Sequence, residues 1–468
     1  MKTDVLIVGG GPAGGAAALC LMEQGINPVI VEAESFPRYH IGESMTGAAG
    51  QVLRELGLEG EMLRRRYPVK CGVKVYGQNA TGNWFVPVRG RDRDGKLLDL
   101  ETWQVRRSDF DQLLLETAVA RGATLLHGKA TLPILRDGEV KGARVRMRDG
   151  GELAIHSEVL LDCSGQATWL ANLGGVTGPK YVGAYDKQIA IFSQVRGAIR
   201  DQGTARDQRK DNTLILYRQK YHWAWFIPID DEVVSVGVVA PSAYFQGKGE
   251  SKRDYLVREL HELHPELKRR LPAIELVEDV HVIPNYSYQA RNFCGKGFIS
   301  IGDAHRFIDP IFSFGISVAV REAQFAAPVV RGYLEGKDRD STNPFAAYQL
   351  FCEKGIDVIE DMVDTFWEHP FAFSVCVHDR YRDLLTDVFA GRVYEHENQP
   401  SVAIHDFRRL LGREGERERS YVSEDLYSIP IGSRYHPERA PIWEVNSPVE
   451  TSETWMRRNE AKAAFAIE

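Results

Sequence analysis

The chain has 468 residues, of which 43% are hydrophobic and 10% aromatic, and its formal net charge is −7 at pH 7. That length allows two or three domains of about 100–200 residues with ample hydrophobic core. The negative balance argues against nucleic acid or an anionic membrane as a main partner. No apolar run reaches the ~18 residues that cross a bilayer. The first predicted strand starts near Thr3, which leaves no room for a signal peptide.

The cysteines are scattered and include no Cys-x-x-Cys pair. This spacing predicts buried free thiols in a reducing cytoplasm, and we predict no bound metal. The six residues are Cys20, Cys71, Cys163, Cys294, Cys352 and Cys376.

The N-terminal segment has the pattern of a strand, a glycine-rich turn, a helix and a second strand. Residues 4–8 are apolar and β-branched, the turn Gly-Gly-Gly-Pro-Ala-Gly follows at 9–14, and Gly25 closes an alanine-rich helix. Residues 27–31 then return as a strand that ends at Glu32. This arrangement predicts a βαβ unit.

The glycine-rich turn has the spacing of a dinucleotide-binding loop. Gly9 makes the tight turn, Gly11 lets the backbone approach a pyrophosphate, and Gly14 lets the helix pack closely on the strand. The helix N-terminus beside Ala13 offers N–H groups and a positive dipole end to the phosphates. Glu32 stands where a carboxylate accepts hydrogen bonds from ribose hydroxyls. We therefore predict a nucleotide cofactor on these five residues.

Two further groups of strands follow. Strand patterns between residues 125 and 153 are separated by Asp-Gly turns at 137–138 and 149–150, which predicts an antiparallel meander. Residues 159–165 then have the pattern of a buried strand. Alternating strands from 188 to 239 predict a second, antiparallel sheet.

The last third of the chain is predicted to be largely helical. Helices are predicted at 255–263, at 315–333 and beyond 343, with a buried strand at 298–303. The charged stretch at 412–419 is predicted to be a solvated segment.

These elements predict an α/β protein with three regions. A discontinuous nucleotide-binding domain comprises residues 1–180 and 290–335. An antiparallel-sheet domain at 181–289 is inserted into it, and a mostly helical region spans 336–468.

Three motifs resemble those of the glutathione-reductase-like and p-hydroxybenzoate-hydroxylase-like flavoproteins. Asp162-Cys-Ser-Gly165 and Ile301-Gly-Asp303-Ala304 each follow a predicted strand, and Arg107 precedes a Phe-Asp pair at a helix start. In that fold the aspartate that matches Asp303 contacts the ribityl chain and phosphate region. The resemblance implies a glutathione-reductase-like FAD-binding domain. No second glycine fingerprint for NAD(P)H is evident, which suggests that a separate flavin reductase supplies reduced flavin.

Four stretches resemble motifs of the flavin-dependent halogenases, and they come in the expected order. They are the segment 36–44 (Phe-Pro-Arg-Tyr-His-Ile-Gly-Glu-Ser), Lys70-Cys-Gly, Trp223-Ala-Trp-Phe-Ile-Pro and Asp309-Pro-Ile-Phe-Ser-Phe-Gly. The set is most similar to the branch that acts on phenols and pyrroles, including pyrroles tethered to carrier proteins. Phe312 stands where the tryptophan halogenases carry a glutamate, which argues against free tryptophan as substrate. Phe314 replaces a serine that is common in the pyrrole and phenol enzymes.

The resemblance implies a reaction and roles for the site residues. Bound FADH2 and O2 give a flavin C4a-hydroperoxide, which oxidises chloride or bromide to hypohalous acid. The halide is expected beside the backbone amides of Ser313, Phe314 and Gly315. Beyond the glycine loop, contacts to FAD are expected from Arg38, Ser44, Arg107, Asp303, Pro310 and Gly315.

The remaining motif residues are expected to handle the oxidant. Trp223 and Trp225, in the motif that ends at Pro228, are expected to keep the substrate away from the flavin. Lys70 is expected to hold the oxidant, as hydrogen-bonded hypohalous acid or as an N-haloamine, and to pass the halogen to an electron-rich ring. A partly desolvated amine suits this role because it can lose its proton near neutral pH. Lys74, at even spacing on the same strand face, is the rival for this role.

The base that removes the ring proton is not identified. Glu43 is a candidate, and it could instead pair with Arg38. The ring is expected to be phenolic or pyrrolic, either free or on an acyl or peptidyl carrier protein.

Three other functions stay open. An aromatic hydroxylase on the same fold would need direct access from flavin to substrate, which the tryptophan pair argues against. A geranylgeranyl-reductase-like flavoprotein would need a long apolar channel, and a non-enzymatic flavin-binding sensor would show no turnover.

Overall fold

The computed structural model describes most of the chain. It covers residues 1–412 apart from 79–81, 93, 174–175, 179, 184, 186, 246–248, 285, 291 and 395–400. The predicted helical content beyond 412 and the predicted solvated segment at 413–419 lie outside the described residues.

The described strands are β1 (Lys2–Val8), β2 (Val29–Glu32), β3 (Val69–Lys70), β4 (Gly72–Tyr76), β5 (Asn83–Pro87), β6 (Arg89–Arg91), β7 (Leu97–Asp99), β8 (Thr102–Trp103), β9 (Thr124–Arg136), β10 (Glu139–Met147), β11 (Glu152–Asp162), β12 (Lys180–Val182), β13 (Gln188–Arg196), β14 (Thr213–Gln219), β15 (His222–Pro228), β16 (Val234–Pro241), β17 (Glu275–Leu276), β18 (His281–Pro284), β19 (Tyr288–Ala290), β20 (Cys294–Gly295), β21 (Phe298–Ser300) and β22 (Arg306–Phe307).

The described α-helices are α1 (Pro12–Glu23), α2 (Gly47–Glu55), α3 (Glu59–Arg64), α4 (Arg107–Ala120), α5 (Trp169–Leu173), α6 (Ser242–Phe245), α7 (Lys252–Glu262), α8 (Pro265–Arg270), α9 (Gly315–Leu334), α10 (Ala346–Glu368), α11 (Pro370–Val375), α12 (Arg382–Phe389) and α13 (Val402–Leu410). Among the helices of these residues, none is long and apolar enough to cross a membrane.

Seven of the described strands form the sheet that carries the glycine-rich turn. β21, β11, β1, β2 and β9 run parallel in that order, and β10 lies antiparallel to both β9 and β11. Asp137 and Gly138, which join β9 to β10, both have positive φ angles, as a tight Asp-Gly hairpin turn requires. The parallel strands bring their carboxyl ends to one edge, where α/β proteins bind their ligands.

The second sheet contains strands from two distant parts of the chain. β13 to β16 correspond to the strands predicted at 188–239, and β4, β5, β17 and β18 also belong to this sheet. β14 pairs in parallel with β4, with Thr213 opposite Val73, and β5 continues the sheet beyond β4. β4 and β5 therefore belong to the second sheet, whereas the sequence placed them in the nucleotide-binding domain. A pairing between strands so far apart in sequence leaves no local pattern that could reveal it.

The helices near the end of the described chain pack back onto the nucleotide-binding part. α9 packs against α1 and α2, and α10 packs against α9. Phe345 and Tyr348, at the start of α10, are buried in the main hydrophobic core, where the Phe345 ring lies 5.2 Å from that of Tyr333. The predicted α/β fold with an antiparallel sheet and C-terminal helices is confirmed.

Candidate active site

A cavity of about 610 Å³ is lined by residues of both sheets and of α9 and α10. Its walls include the glycine-rich turn and Glu32 from the first sheet, and Trp223 and Trp225 from the second. Ile356 and Ile359 of α10 add an apolar surface. The residues predicted for a nucleotide, those predicted to bind halide and the two tryptophans thus line one cavity.

The glycine-rich turn is shaped by three close contacts. Gly9 has a φ of +102°, and a Cβ there would lie 2.4 Å from the carbonyl oxygen of Cys163. A Cβ on Gly14 would lie 1.9 Å from the carbonyl oxygen of Gly9, so only glycine lets α1 approach β1 this closely. At Gly11 the nearest atom to a Cβ is Nη2 of Arg38 at 3.4 Å, which leaves its backbone open to the cavity.

Glu32 is fixed at the end of β2 by backbone donors. The N–H of Gly10 donates to its Oε2 at 2.6 Å, and the N–H of Glu34 donates to its Oε1 at 2.6 Å. The carboxylate lines the cavity, where it can also accept from sugar hydroxyls. Its predicted position beside a nucleotide ribose fits this geometry.

Two arginines meet one carboxylate beside the glycine-rich turn. Arg107 donates to both oxygens of Asp111 at 2.6 and 2.8 Å, and Nη1 of Arg38 lies 3.2 Å from Asp111. Arg107 also donates to the carbonyl oxygen of Ile41 at 2.6 Å. Asp111 therefore ties α4 to the segment 36–44, and both guanidinium groups line the cavity.

Asp303 lies in the cavity wall at the turn after β21. Burial raises the pKa of its carboxyl to about 7, although Arg107 acts in the opposite direction. Gly302, before it, has a φ of +64° and donates its N–H to Glu322 at 2.7 Å, which fixes the turn. Hydroxyl donors on a bound ligand would stabilise the charged form of Asp303.

The two tryptophans stand side by side in the cavity wall. Trp223 and Trp225 alternate along β15 and so share one face, with ring centroids 5.9 Å apart. Nε1 of Trp225 donates to Oγ of Ser235 at 3.2 Å, across the strand pair β15–β16. A Cβ on Gly237 would lie 2.2 Å from the Trp225 ring, so glycine is needed there to seat the indole.

Pro228, predicted to be catalytic, lies at the end of β15 opposite Val234. The structure does not place it among the cavity-lining residues. It ends the strand, at a position where the missing N–H is tolerated, and its catalytic role stays a prediction.

Lys70 is buried behind the cavity wall. Its side chain is 2% exposed, and Nζ donates to Oγ of Ser44 at 2.8 Å and to the carbonyl oxygen of Met45 at 2.9 Å. Ser44 lines the cavity, whereas Lys70 does not. Burial lowers the pKa of the Lys70 amine to about 7, because the charged form is poorly solvated there.

Lys74, the rival lysine, has a different environment. Its Nζ lies 3.0 Å from Asp201, which also pairs with Arg270 at 2.6 Å. This ion pair occupies the Lys74 amine, whereas Nζ of Lys70 bonds to a hydroxyl and a carbonyl oxygen. The geometry favours Lys70 for chemistry that needs a free amine.

Glu43 does not pair with Arg38. Its Oε1 accepts from Nε2 of Gln194 at 3.1 Å, and the hydroxyl of Ser235 also bonds to the carboxyl. Burial raises the pKa of Glu43 to about 7, against the opposing effect of these two hydrogen bonds. Arg38 pairs instead with Glu34, at 2.8 Å.

The Asp-Pro loop places backbone amides at the cavity. Asp309 accepts from the N–H of Ile311 at 2.9 Å and so begins the short turn at Pro310. Ser313 then has a left-handed φ of +60°, and α9 begins at Gly315 with no side-chain cap. All of the predicted halide-binding residues line the cavity. An uncapped start of a long helix is a favourable position for an anion.

Several residues of the site were missed by sequence reasoning. Gln194, Ser235 and Gly237 contact predicted site residues, and no site role was predicted for them. Gly237 had one usable signal, because an isolated glycine inside a strand often marks a close approach by a neighbouring group. Gln194 and Ser235 are ordinary polar residues, and Gln194 is 151 residues away from its partner Glu43.

The residues present fit FAD. The open backbone at Gly11, the arginine pair around Asp111 and the carboxylate of Glu32 suit a pyrophosphate and a ribose. The cavity then continues past Asp303 to the tryptophan pair, where a flavin ring system would need an apolar wall.

Comparison with known proteins supports this fit. Residues 2–341 match the FAD binding domain family. The chain is 36% identical over 409 residues to a 1H-pyrrole-2-carbonyl-[peptidyl-carrier protein] brominase of Pseudoalteromonas luteoviolacea, which covers 87% of this chain and 96% of the relative. It is 29% identical over 412 residues to a corresponding chlorinase of Pseudomonas fluorescens, which covers 84% and 89%.

Solved structures agree. The flavin-dependent brominase Bmp2 matches with a TM-score of 0.80 and 35% identity, over 89% of this chain and 100% of that one. The halogenase CmlS, at 23% identity and a TM-score of 0.68, shares the fold. The fold and site define an FAD-binding oxidoreductase. Within that class, the chain belongs to the flavin-dependent halogenases, as its motifs predicted, and the hydroxylase and reductase alternatives are not favoured.

Gly14→Ala tests the close packing of α1. The added Cβ meets a carbonyl oxygen at 1.9 Å, so the turn must shift. We expect the affinity of the protein for FAD to fall by tenfold or more, which is about 1.4 kcal/mol. The flavin absorbance per protein measures the FAD that remains bound. Gly60→Ala is the matched control, because nothing lies within 4 Å of its Cβ. Equal FAD content in the two variants would contradict the assignment.

Proposed function

We propose that this halogenase transfers chlorine or bromine to a pyrrole-2-carbonyl group attached to a peptidyl carrier protein. Two relatives, which cover 87% and 84% of the chain, are named for that substrate, one as a brominase and one as a chlorinase. The absence of a carboxylate at Phe312 agrees with a neutral ring rather than an amino acid. One observation carries the proposal: the paired tryptophans and the glycine-rich turn face one cavity, with a neutralisable amine behind its wall.

Bound FAD, once reduced, supplies the electrons with which O2 oxidises a halide to hypohalous acid. The backbone N–H groups of Phe314 and Gly315, at the uncapped start of α9, hold the halide. Trp223 and Trp225 exclude the ring substrate from this part of the cavity, so only a small oxidant passes. Glu32, Arg38, Arg107 and Asp303 bind and orient the cofactor.

Lys70 carries the halogen to the ring. Its free amine attacks hypohalous acid, which forms a nitrogen–halogen bond and releases water. The pyrrole carbon then attacks the halogen, the nitrogen–halogen bond breaks, and the proton lost from the ring restores the amine. A lysine with a pKa near 7 holds enough free amine for this reaction at neutral pH.

We also propose a separate flavin reductase as partner and a cytoplasmic location. Within the described chain, one glycine-rich turn of the dinucleotide type begins the fold, and the cavity holds no second one. All six cysteines lie in the described part and are buried free thiols, as in a reducing compartment.

Lys70→Met tests the role of the amine. The change keeps a long apolar side chain in a buried position but removes the nucleophile. We expect ring halogenation to fall by at least about a hundredfold, while FAD binding and halide-dependent scavenger halogenation persist. Product is measured by mass spectrometry, with catalase present and a generic flavin reductase supplied.

Lys74→Met is the control for this variant. Asp201 keeps Arg270 as its partner, so the site should survive the change. Retained ring halogenation in Lys70→Met, or its loss in Lys74→Met alone, would move the role to Lys74.

A loaded carrier tests the substrate. We expect pyrrole-2-carbonyl on a peptidyl carrier protein to be halogenated at least about tenfold faster than free pyrrole-2-carboxylate, because the carrier holds the ring at high effective concentration. Intact-protein mass spectrometry reads the added halogen. A preference for the free acid or for a free phenol would contradict the substrate. A hydroxylated product, formed with NADH and without a reductase, would contradict the proposed reaction.

A further inference from the structure

The Lys70 amine lies at the end of a buried chain of hydrogen bonds that begins at Gln104. We propose that Gln104, Thr213 and Ser44 position this amine and favour its uncharged form, so that one valence of the nitrogen is left for the halogen. The inference rests on the proposed function, because it assigns Thr213 and Gln104 as positioning residues for Lys70.

The chain is continuous in heavy-atom distances. Nε2 of Gln104 lies 2.7 Å from Oγ1 of Thr213, which lies 2.9 Å from Oγ of Ser44. Ser44 Oγ in turn lies 2.8 Å from Nζ of Lys70. The four side chains are between 0 and 5% exposed, so solvent does not compete for these bonds.

The direction of donation follows from Gln104. Its Nε2 also lies 3.1 Å from the carbonyl oxygen of Asp211, so both amide hydrogens are used. Thr213 must therefore accept from Gln104, and its own hydrogen is free to point at Ser44. Either hydroxyl of this pair could donate by geometry alone. With the Thr213 hydrogen on Ser44, Ser44 Oγ accepts, which makes its hydroxyl a better donor and a poorer acceptor toward Lys70.

Such a partner favours the free amine. An ammonium group needs acceptors, whereas an amine has a lone pair that accepts from a hydroxyl. Ser44 can donate to that lone pair while the carbonyl oxygen of Met45 accepts one N–H, at the same heavy-atom distances. The third position on the nitrogen has no partner among the described residues, and it can hold either a proton or a halogen.

The titratable groups around this chain do not pair with the amine. They are Glu43 beside Ser44, Asp211 before β14, and Glu101 and Cys71, which contact one another beside β3 and β8. None of them hydrogen-bonds to Nζ of Lys70 in the described structure. Glu43 has a pKa near that of Lys70. The Glu43→Gln variant therefore shows which of the two groups controls the pH dependence of ring halogenation.

Thr213→Val is the test, because valine keeps the shape and removes the hydroxyl. Without the Thr213 donor, Ser44 accepts better from an ammonium, so the pKa of Lys70 rises. We expect the pH at half-maximal ring halogenation to move upward by about one unit, the scale of one hydrogen bond. At neutral pH, ring product per scavenger product should fall by about fivefold, because the free-amine fraction falls from about one half to about one eleventh. Thr213→Ser should restore both values.

The same assay includes wild type, Lys70→Met and Glu43→Gln. If Thr213→Val loses FAD, Gln104→Met replaces it and should give the same upward shift. An unchanged midpoint in a variant that retains FAD, or a failure of Thr213→Ser to restore it, would overturn the inference. The inference would also be overturned if this limb of the pH profile disappeared in Glu43→Gln. If Lys70→Met halogenated the ring at the wild-type rate, the proposed function would instead be overturned.

Discussion

The burial of one lysine amine without a carboxylate partner is the constraint on which the chemistry of this site depends. Burial is the cause that lowers the pKa of Lys70, and its two bonds go to a hydroxyl and a carbonyl oxygen. A carboxylate partner would have favoured the charged form of the amine. Lys74, close by in sequence, has such a partner in Asp201, so the two lysines have different surroundings.

The segment that contains Glu43 and Ser44 links the parts of the site. Glu43 meets Ser235, which holds Trp225, while Ser44 lines the cavity and holds Lys70. Neighbouring residues therefore contact the residue that holds Trp225, which is proposed to exclude the substrate, and the amine that is proposed to carry the halogen. A displacement of this segment would alter both, and Arg107 anchors it through the carbonyl oxygen of Ile41.

The family, the fold class and the FAD-binding domain could be predicted from the sequence, because glycine spacing and strand alternation are local patterns. The contribution of β4 and β5 to the second sheet could not, since it depends on pairing with β14. Lys70 was found through its motif, but Thr213, which bonds to Ser44 and not to Lys70 itself, lies on that distant strand and has no motif of its own. The roles of the site residues remain predictions.

The most direct test is the titration of Lys70 itself. Lysine labelled with 13C at Cε gives one NMR signal per residue, and Lys70→Met identifies the signal of interest. With FAD bound, the account predicts a midpoint near pH 7 for Lys70. A midpoint near the model-peptide value of about 10.4 would mean that the amine is charged at neutral pH, and it would contradict the proposed halogen transfer.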